Sequence, residues 1–577
     1  MTNNTESAGL SPIEATDRLR SLRVGESVMF ELKKFGVKHV FGMPGTHSLE
    51  LYRAIEESGI HHVTVRHEQG AAFMADGYAR VSGNPGVCLV IGGPGVTNAS
   101  TAIAEAYADS VPVLMISNAI DAAHIGMGRN MVHELSDQRA TTVPFTTASI
   151  LATNPEQVRA SIEQAFGLFA SVRPRPFHVS IPMDVLKSPA IAALDPAMMP
   201  ERPAAAPGLV QLASDLLRNA KRPVLIAGGG SVDAYVELRA LVELLRIPVV
   251  MTTAGKGVVP EDHELSLGSA LVAKSVLRLL CDADVVLAVG TEIGEADLFD
   301  TADMEADESM DAIHVIDGIL PLTGKLIRID IDPTAMTDGR YRPHIPLLGD
   351  AGATLTMLLN SVNSSHDDGL VPRPASAWDI EEILSIRRSA RDNLSSLQRK
   401  HIAVLDELAK AMPRDAFMVG DMAQINTTCQ SHYATFVPRS MLMPLGFSTL
   451  GYALPAAIGA KLACPLRAGV AVVGDGGLMF TLSELATAIE LKLSLPILLW
   501  NNGCLGEIRD YMRARQVPEI GVFPHNPDFI ALAQAFGCIG ISITSLDQIG
   551  PVVSEALRRP GPTLIEVQED APFLRAI

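Results

Sequence analysis

The chain has 577 residues, of which 47% are hydrophobic and 19% are charged. That length exceeds a single hydrophobic core and the composition excludes a disordered chain, so we expect a globular protein of two to four domains. Its 46 basic and 65 acidic residues give a net charge of −19, which disfavours binding to nucleic acid or to an anionic membrane through charge alone.

Neither the cysteines nor the amino terminus indicates secretion. The six cysteines are scattered without a CxxC pair, so they predict reduced thiols rather than a zinc site or a disulfide framework. The polar start lacks the basic-then-apolar pattern of a signal peptide, and no apolar run approaches the roughly 18 residues of a membrane span. We therefore expect a cytoplasmic protein whose residues 1–20 form a flexible tail.

Two breaks rich in proline or serine, at 194–208 and 360–377, divide the chain into three blocks. Within each block, short apolar runs alternate with longer amphipathic ones, and a glycine-rich turn follows one of the apolar runs. This alternation predicts βαβ units, and hence an α/β fold with three doubly wound parallel-sheet domains at 21–193, 208–355 and 375–577. Ligands of such sheets bind at the carboxyl ends of the strands, so the loops there are the candidates for function.

The third block carries a candidate metal–phosphate motif. A predicted strand at 469–473 runs into a GDGG turn that contains Asp475, and the next predicted strand delivers Asn502. Glycines beside Asp475 let a phosphate oxygen approach the backbone, and carboxylate, amide and carbonyl oxygens suit Mg²⁺. The spacing of Thr481 and Glu484 predicts a capping box at the start of the intervening helix. The alternative is an ordinary tight turn followed by a polar strand end.

Glu68 is the second candidate, in the first block. It stands among apolar neighbours where a predicted strand changes into a helix of small residues, within 62–83. One interpretation is an acid that stabilises the amino terminus of a helix through the helix dipole. The other is a functional carboxylate that is partly withdrawn from water.

Both segments resemble parts of thiamine-diphosphate enzymes. GDG followed by NN at this spacing is similar to their diphosphate-binding motif, and RHEQGAAFMADGYAR is similar to the pyrimidine-binding segment of acetolactate-synthase-like members. The resemblance implies that the first domain binds the pyrimidine and the last binds the diphosphate with Mg²⁺. It implies Mg²⁺ ligation by the side chains of Asp475 and Asn502 and by the carbonyl of Cys504. It also implies that Glu68 shares a proton with the aminopyrimidine ring and thereby activates the thiazolium carbon.

Two further segments extend this resemblance. The stretch MPLGFSTLGYALPAAIGA is similar to the one that bends the cofactor, with Leu450 where acetolactate synthases carry a methionine and with the Ser448 carbonyl toward the pyrimidine amine. In GDMAQIN, Gln424 matches the family and Ile425 replaces its usual histidine. The implied cofactor-binding residues are Glu68, Gln424, Ser448, Leu450, Gly474, Asp475, Gly476, Gly477 and Asn502. In this family the glutamate and the diphosphate anchor face each other across a subunit interface, which implies a homodimer at minimum and favours a homotetramer.

The central block shows a weaker pattern. TTAGKGVVPEDHELSLG is similar to its acetolactate-synthase counterpart, but GGG at 228–230 lacks the full GxGxxG spacing and favours a structural turn over a dinucleotide site. At 291–300 the chain reads TEIGEADLFD, where acetolactate synthases carry Arg-Phe-Asp-Asp-Arg. We therefore expect no FAD.

The candidate substrate positions depart from the acetolactate synthase pattern. Glu507 and Tyr511 replace a methionine and a tryptophan, and Asp510 adds another acid. In the first domain His133 replaces a glutamine and precedes Glu134, while Thr46 and His47 occupy a loop that approaches the thiazolium in relatives. The resemblance implies catalytic roles for Glu68, His47 and His133, and substrate-binding roles for Thr46, Glu134, Glu507, Asp510 and Tyr511.

These acids either form solvated surfaces or bind a cation, and a guanidinium pairs bidentately with carboxylates. The second interpretation is similar to the members that act on 5-guanidino-2-oxopentanoate, and it implies non-oxidative decarboxylation of a cationic 2-oxo acid to an aldehyde and CO₂. Acetolactate-type joining of two 2-oxo acids is the alternative activity. A catalytically inactive regulatory protein is a third possibility, which the intact Glu68, Asp475 and Asn502 disfavour.

Overall fold

The computed structural model describes residues 22–191, 199–271, 273–298, 319–320, 322–364, 378–390, 394–575 and 577. The expected tail at 1–20 lies outside these residues. The chain forms two compact units. The first holds residues up to 200 apart from 80–83 and 171–173, and the second holds those two short segments together with residues from 201 onward.

The first unit contains a six-stranded parallel sheet with the order β2-β1-β3-β4-β6-β5. Its strands are β1 (His39–Gly42), β2 (His61–Thr64), β3 (Gly86–Val90), β4 (Val113–Ala119), β5 (Ala148–Leu151) and β6 (Phe177–Pro182). Its helices are α1 (Val24–Lys34), α2 (Leu49–Tyr52), α3 (Ile55–Ser58), α4 (Glu68–Ser82), α5 (Pro94–Ala108), α6 (Gln138–Thr142), α7 (Pro155–Ser171) and α8 (Met183–Lys187). The strand order reverses between β1 and β3, so a ligand crevice is expected above the loops that follow these two strands.

The second unit contains two parallel sheets, of which the central one has the order β11-β10-β9-β7-β8. Its strands are β7 (Pro223–Ala227), β8 (Val249–Met251), β9 (Val285–Val289), β10 (Lys325–Asp330) and β11 (Ile345–Leu348). The helices that pack on it are α9 (Pro207–Asn219), α10 (Tyr235–Leu245), α11 (Lys274–Asp282), α12 (Ala351–Ser364) and α13 (Ile380–Ser389). Helix α12 extends into the predicted break at 360–377, and Ile383, beyond the predicted boundary at 375, is buried in the core of this sheet.

The last sheet is six-stranded and parallel, with the order β13-β12-β14-β15-β17-β16. Its strands are β12 (Phe417–Gly420), β13 (Met441–Leu442), β14 (Gly469–Gly474), β15 (Pro496–Asn501), β16 (Ile539–Ser542) and β17 (Thr563–Gln568). Its helices are α14 (Ser396–Ala411), α15 (Gln424–His432), α16 (Ala453–Ala463), α17 (Asp475–Thr481), α18 (Glu484–Glu490), α19 (Gly506–Ala514), α20 (Phe529–Phe536) and α21 (Ile549–Ala556). The order reverses between β12 and β14, and the loops after these strands carry Gln424 and Asp475.

The apolar runs become strands that are buried on both faces. Every residue of β9 and of β14 is buried, as expected for parallel strands that helices cover on each side. The predicted α/β fold with three parallel sheets is confirmed. Among the described residues, no helix is long and apolar enough to cross a membrane.

The predicted capping box is wrong. Helix α17 begins directly at Asp475, and Thr481 is its last residue rather than the cap of the next helix. The Thr481 hydroxyl donates a hydrogen bond to the Gly451 carbonyl at 2.8 Å, and Ser483 precedes α18. A contact with a segment distant in the sequence therefore overrides the local capping pattern.

The GGG segment forms a structural turn. Gly230 N donates a hydrogen bond to the Gly290 carbonyl at 2.9 Å, and Gly228 N donates one to the Val289 carbonyl at 2.9 Å. A Cβ on Gly230 would lie 2.8 Å from the Gly290 Cα. The turns that follow β7 and β9 therefore pack on each other at the point where the order of the central sheet reverses, the position at which dinucleotides bind in related sheets.

Candidate active site

Asp475 is a buried carboxylate between two strand ends of the last sheet. It follows β14, and its Oδ2 accepts hydrogen bonds from Gly503 N at 3.0 Å and from Asn526 Nδ2 at 2.5 Å. Burial raises the pKa of Asp475, while the hydrogen bond from Asn526 opposes this increase. Gly503 has a φ of +68°, which lets the chain turn back toward Asp475 immediately after Asn502.

Asn526 belongs to this site although the GDG and NN patterns gave no sign of it. Its Nδ2 also lies 3.3 Å from Asn501 Oδ1, so one amide bridges the ends of β14 and β15. It stands in the loop before α20, just ahead of Asp528, which caps that helix. The only local signal is Asn526-Pro527-Asp528, which predicts a turn and a helix start rather than a role at Asp475.

Gln424 and Asn502 meet at the same edge of this sheet. Asn502 Nδ2 lies 3.5 Å from Gln424 Oε1, and Gln424 Nε2 donates a hydrogen bond to Asp510 Oδ2 at 2.8 Å. Gly506 leaves room for this pairing, because a Cβ there would lie 2.3 Å from Gln424 Oε1. The structure thus brings together a predicted diphosphate residue, a predicted metal ligand and a predicted substrate residue.

Cys504 is buried beside this group. Its backbone N–H donates a hydrogen bond to Asn502 Oδ1 at 3.1 Å, and its thiol lies 3.1 Å from Arg509 Nη1. Burial raises the pKa of the Cys504 thiol. A neutral thiol fits the predicted role of this residue, which uses the backbone carbonyl rather than sulfur.

The donor set suits a hard cation that shares its shell with phosphate. It offers the carboxylate of Asp475 and the amide of Asn502, with the Cys504 carbonyl as the third expected ligand, and all three can bind through oxygen, as Mg²⁺ prefers. Among the described residues, no group of three or more histidine, cysteine or acidic side chains could hold a metal. A metal here would therefore need oxygens from a bound diphosphate or from water to complete its coordination, which fits Mg²⁺ with thiamine diphosphate.

The glycines of the GDGG turn pack closely against neighbouring side chains. A Cβ on Gly474, Gly476 or Gly477 would lie 2.9 Å from Ala423, Leu505 and Asp421, respectively. The sequence analysis explains these glycines by the close approach of a phosphate. Tight packing of the turn against its neighbours is a second reason for glycine at these positions.

The loop expected to bend the cofactor is fixed by Asp421. Asp421 is fully buried and accepts hydrogen bonds from Met422 N at 2.8 Å and from Gly451 N at 3.0 Å. Burial raises its pKa to about 6, against the effect of these backbone donors. Ser448, in the same loop, has a left-handed backbone with a φ of +55°, and Leu450 is half-buried.

In the first unit, Glu68 is the first residue of α4 and only 6% of its surface is exposed. Its Oε2 accepts a hydrogen bond from Asn98 Nδ2 on α5 at 3.0 Å. Tyr52 lies close enough that the charge of Glu68 adds to burial in raising the pKa of the Tyr52 hydroxyl. The sequence patterns did not predict Asn98 or Tyr52, because both meet Glu68 through contacts distant in the sequence.

His47 and His133 form a pair in the same unit. Their rings meet edge to face with centroids 4.7 Å apart, and the Nδ1 atom of each is buried without a hydrogen-bond partner among the described residues. His133 has a left-handed backbone with a φ of +66°, and its carbonyl packs against Gly93, where a Cβ would lie 2.7 Å away. Burial, and the proximity of His47, lower the pKa of His133, so its neutral form is favoured.

The remaining candidates in this unit differ in their surroundings. Thr46 is exposed at the start of a short 3₁₀ helix after β1, next to His47. Glu134 is half-buried, and its Oε2 accepts a hydrogen bond from Met131 N at 2.8 Å. One oxygen of this carboxylate is therefore already used within the turn that carries His133.

The three substrate candidates on α19 are not equivalent. Asp510 is paired with Arg509 at 2.8 Å, in addition to its bond from Gln424. The guanidinium of Arg515 lies over the Tyr511 ring, 5.3 Å from its centroid. Glu507 is half-buried and has no hydrogen bond or ion pair with another described residue. Burial, and the neighbouring charge of Asp510, raise the pKa of Glu507.

The fold and these residues define a class of protein. A buried acid at a helix start of one parallel-sheet domain, and a carboxylate with an amide at adjacent strand ends of another, are the features of a thiamine-diphosphate enzyme. Family models agree, and all three describe the thiamine pyrophosphate enzyme. The N-terminal TPP binding domain matches residues 22–141, the central domain 210–358 and the C-terminal TPP binding domain 421–567.

Curated relatives extend along nearly the whole chain. A probable 2-ketoarginine decarboxylase, AruI, of Pseudomonas aeruginosa is 44% identical over 552 residues, 95% of this chain and 94% of the relative. Acetolactate synthase isozyme 1 large subunit of Escherichia coli is 32% identical over 95% of this chain and 94% of the relative. A probable acetolactate synthase large subunit of Methanocaldococcus jannaschii is 31% identical over 95% and 92%. The chain belongs to the thiamine pyrophosphate enzyme family.

Proposed function

We propose that this enzyme decarboxylates a cationic 2-oxo acid without oxidation, giving an aldehyde and CO₂, and that 5-guanidino-2-oxopentanoate is such a substrate. The 44% identical relative is named a probable 2-ketoarginine decarboxylase, and 2-ketoarginine is this guanidino 2-oxo acid. The observation that carries the proposal is the free carboxylate of Glu507, on the first turn of the helix that follows Asn502.

Glu507 suits a guanidinium better than its neighbour does. The carboxylate of Asp510 is already occupied by Arg509 and Gln424, whereas that of Glu507 pairs with no described residue. A half-buried acid whose pKa is raised by burial gains from a cation, since an opposite charge stabilises the ionised form. A guanidinium can bond both carboxylate oxygens at once, which gives selectivity against uncharged 2-oxo acids.

Thiamine diphosphate, when bound, supplies the electron sink that accepts the electron pair left behind as CO₂ departs. In our proposal Glu68 holds the proton that it exchanges with the pyrimidine ring. Asp475, Asn502 and the Cys504 carbonyl hold Mg²⁺. Gln424 and the Gly474, Gly476 and Gly477 backbone bind the diphosphate, while Ser448 and Leu450 position the rings.

The net reaction replaces a carboxylate by a hydrogen on the same carbon, so one proton must be delivered to that carbon. We propose that the His47–His133 pair moves this proton, because each ring has a buried nitrogen without a described partner. The lowered pKa of His133 keeps any proton it receives easily transferable. We assign Thr46, Glu134, Asp510 and Tyr511 to the surroundings of the substrate, with Asp510 acting through Gln424.

Joining two 2-oxo acids, as acetolactate synthases do, is the second candidate. It is favoured by the relatives of that name, which are 31–32% identical over most of their length. The residues that depart from the synthase pattern, Glu507 and Tyr511, favour the decarboxylase.

Steady-state assays with 5-guanidino-2-oxopentanoate, pyruvate and benzoylformate test the proposal. We expect the highest kcat/KM for the guanidino acid, and faster conversion of pyruvate to acetolactate would overturn the proposal.

Glu507→Gln should raise KM for the guanidino acid at least tenfold more than for benzoylformate. Asp510→Asn, on the same helix, is the matched control and should affect both substrates equally. Equal effects of Glu507→Gln on both substrates would exclude Glu507 from recognition of the cation.

We further infer a Mg²⁺-dependent homotetramer built from homodimers, without FAD, and a cytoplasmic location. The proposed domains are 21–193 for the pyrimidine, 208–355 in the centre and 375–577 for the diphosphate. Light scattering of the purified enzyme tests the assembly, and a monomer would contradict it. The expected absence of flavin rests on the sequence TEIGEADLFD at 291–300, where acetolactate synthases carry Arg-Phe-Asp-Asp-Arg, and stoichiometric FAD in purified protein would overturn it.

A further inference from the structure

We propose that Asn98 is a positioning residue for Glu68, which fixes one carboxylate oxygen and leaves the other to meet the cofactor. This inference rests on the proposed role of Glu68 in activating thiamine diphosphate. Asn98 Nδ2 donates a hydrogen bond to Glu68 Oε2 at 3.0 Å, and the two residues lie on separate helices, α5 and α4. Oε1 makes no hydrogen bond with a described residue.

The space beside Oε1 is kept open by a glycine. Gly95, in the first turn of α5, has no side chain, and a Cβ there would lie 2.9 Å from Ile91 Cγ2 and 3.3 Å from Glu68 Oε1. One helix therefore supplies both features, a donor to Oε2 from Asn98 and a cleared approach to Oε1 at Gly95. The carboxylate is fixed in orientation before any ligand arrives, and such preorganisation reduces the entropy lost on binding.

The hydrogen bond from Asn98 also contributes to the electrostatic surroundings of the Glu68 carboxylate. An amide N–H stabilises the ionised form, and charge-assisted hydrogen bonds are stronger than neutral ones. Tyr52 is the titratable neighbour of Glu68, and its buried hydroxyl has no hydrogen-bond partner among the described residues. Within the described surroundings of Glu68, Asn98 is therefore the hydrogen-bond donor whose loss the exchange measurement is designed to detect.

Three variants of the full-length enzyme, Asn98→Leu, Ser100→Ala and Glu68→Gln, separate positioning from folding. Ser100 lies on the same helix and its hydroxyl bonds only the Val96 carbonyl at 2.9 Å, so it serves as the matched control. The readouts are the exchange rate of the cofactor C2 proton by quenched-flow proton NMR across pH, and the Kd of thiamine diphosphate with Mg²⁺.

For Asn98→Leu we expect exchange to be at least tenfold slower and its pH midpoint to rise, while the Kd changes less than about threefold. Asn98→Asp, nearly identical in shape, should raise the midpoint further because it adds a like charge beside Glu68. Ser100→Ala should match the wild type. A weaker Kd with an unchanged exchange rate and midpoint would overturn the inference, and so would a midpoint that moves with Tyr52→Phe but not with Asn98→Leu.

The outcomes also separate this inference from the proposed function. If wild-type enzyme exchanges the C2 proton and Glu68→Gln does not, the role of Glu68 stands whatever Asn98 does. If wild-type enzyme exchanges the proton but decarboxylates none of the 2-oxo acids, the proposed function fails while the effect of Asn98→Leu on exchange still tests the positioning role.

Discussion

Asn526 Nδ2 lies 2.5 Å from Asp475 Oδ2, which joins the loop before α20 to the carboxylate proposed to bind Mg²⁺. The same oxygen accepts the Gly503 N–H at 3.0 Å. The orientation of the carboxylate thus depends on two segments that follow β15, one adjacent to the NN pair and one well beyond it. This dependence predicts that a residue outside the recognised motif controls metal affinity.

Asn526→Ala should therefore weaken Mg²⁺-dependent binding of the cofactor. A hydrogen bond to a charged group contributes about 1.5–3 kcal/mol, so the Mg²⁺ concentration for half-maximal binding should rise roughly tenfold or more. Titration of Mg²⁺ at fixed thiamine diphosphate, followed by fluorescence quenching, measures it. His525→Ala changes the exposed neighbouring side chain and serves as the control. Identical Mg²⁺ curves for Asn526→Ala and His525→Ala would contradict the role of Asn526.

Gly506→Ala should separate Gln424 from Asn502. The added methyl group would lie 2.3 Å from Gln424 Oε1 and 2.5 Å from Asn502 Nδ2, distances that real Cβ atoms do not show. We expect the Kd of thiamine diphosphate to increase roughly tenfold, with unchanged circular dichroism. Gly550→Ala is the matched helical control, because its new methyl would meet only the Glu407 carbonyl at 3.7 Å. Equal affinity for thiamine diphosphate in both variants would show that Gln424 and Asn502 can move to accommodate the added methyl group without loss of binding.

Sequence patterns located the strands well because parallel strands are buried and contiguous. The predicted strand at 469–473 corresponds to the strand Gly469–Gly474, and the strand predicted to deliver Asn502 corresponds to Pro496–Asn501. The GDG and NN motifs were found for the same reason, since each is a short segment at a strand end. The strand orders were not predictable, because the alternation of strands and helices does not specify which strand lies next to which.

Contacts between segments that are distant in the sequence could not be predicted from the sequence patterns either. Asn98 and Asn526 meet Glu68 and Asp475 only after the chain has folded, and neither lies in a repeated or spaced motif. Asp510 illustrates the converse, because the sequence analysis predicts a substrate-binding acid there whereas the structure pairs its carboxylate with Arg509 and Gln424. Local spacing predicts the type of chemistry, while the tertiary structure decides which groups remain available for a ligand.

Lys256 and Glu261 form a buried ion pair that should stabilise the second unit. Their charged atoms lie 2.6 Å apart with side chains 0% and 6% exposed, and Lys256 Nζ also donates to the Gln430 carbonyl at 3.1 Å. Lys256→Met would leave the carboxylate buried without its cation, which costs about 3–5 kcal/mol. We expect a lower unfolding midpoint in urea, measured by intrinsic fluorescence.

The double variant Lys256→Met with Glu261→Gln tests the cause of that loss. A neutral glutamine can still accept the hydrogen bonds that Thr435 donates to Glu261 Oε1, at 3.1 and 3.2 Å. The second change should therefore restore part of the stability lost in the first, a coupling that a double-mutant cycle measures. Additive losses would show that packing of the lysine stem, rather than the unpaired charge, sets the effect.

His178 should make the stability of the first unit depend on pH. It is fully buried, with Ser117 Oγ 2.8 Å from Nε2 and Ser149 Oγ 2.8 Å from Nδ1, and burial lowers its pKa to about 3. The unfolded chain takes up this proton near the ordinary value of about 6.5, so below that pH the unfolded state binds more protons than the native state. The contribution of His178 to stability is therefore complete above about pH 6.5 and falls as the pH is lowered, by about 2 kcal/mol at pH 5.

His178→Gln should be less stable than wild type at pH 8, because it disturbs these hydrogen bonds, but should lose less stability between pH 8 and pH 5. Urea unfolding at pH 8 and at pH 5 measures the free energy of unfolding of both proteins. Equal losses of stability in wild type and variant between these pH values would show that His178 does not cause the pH dependence.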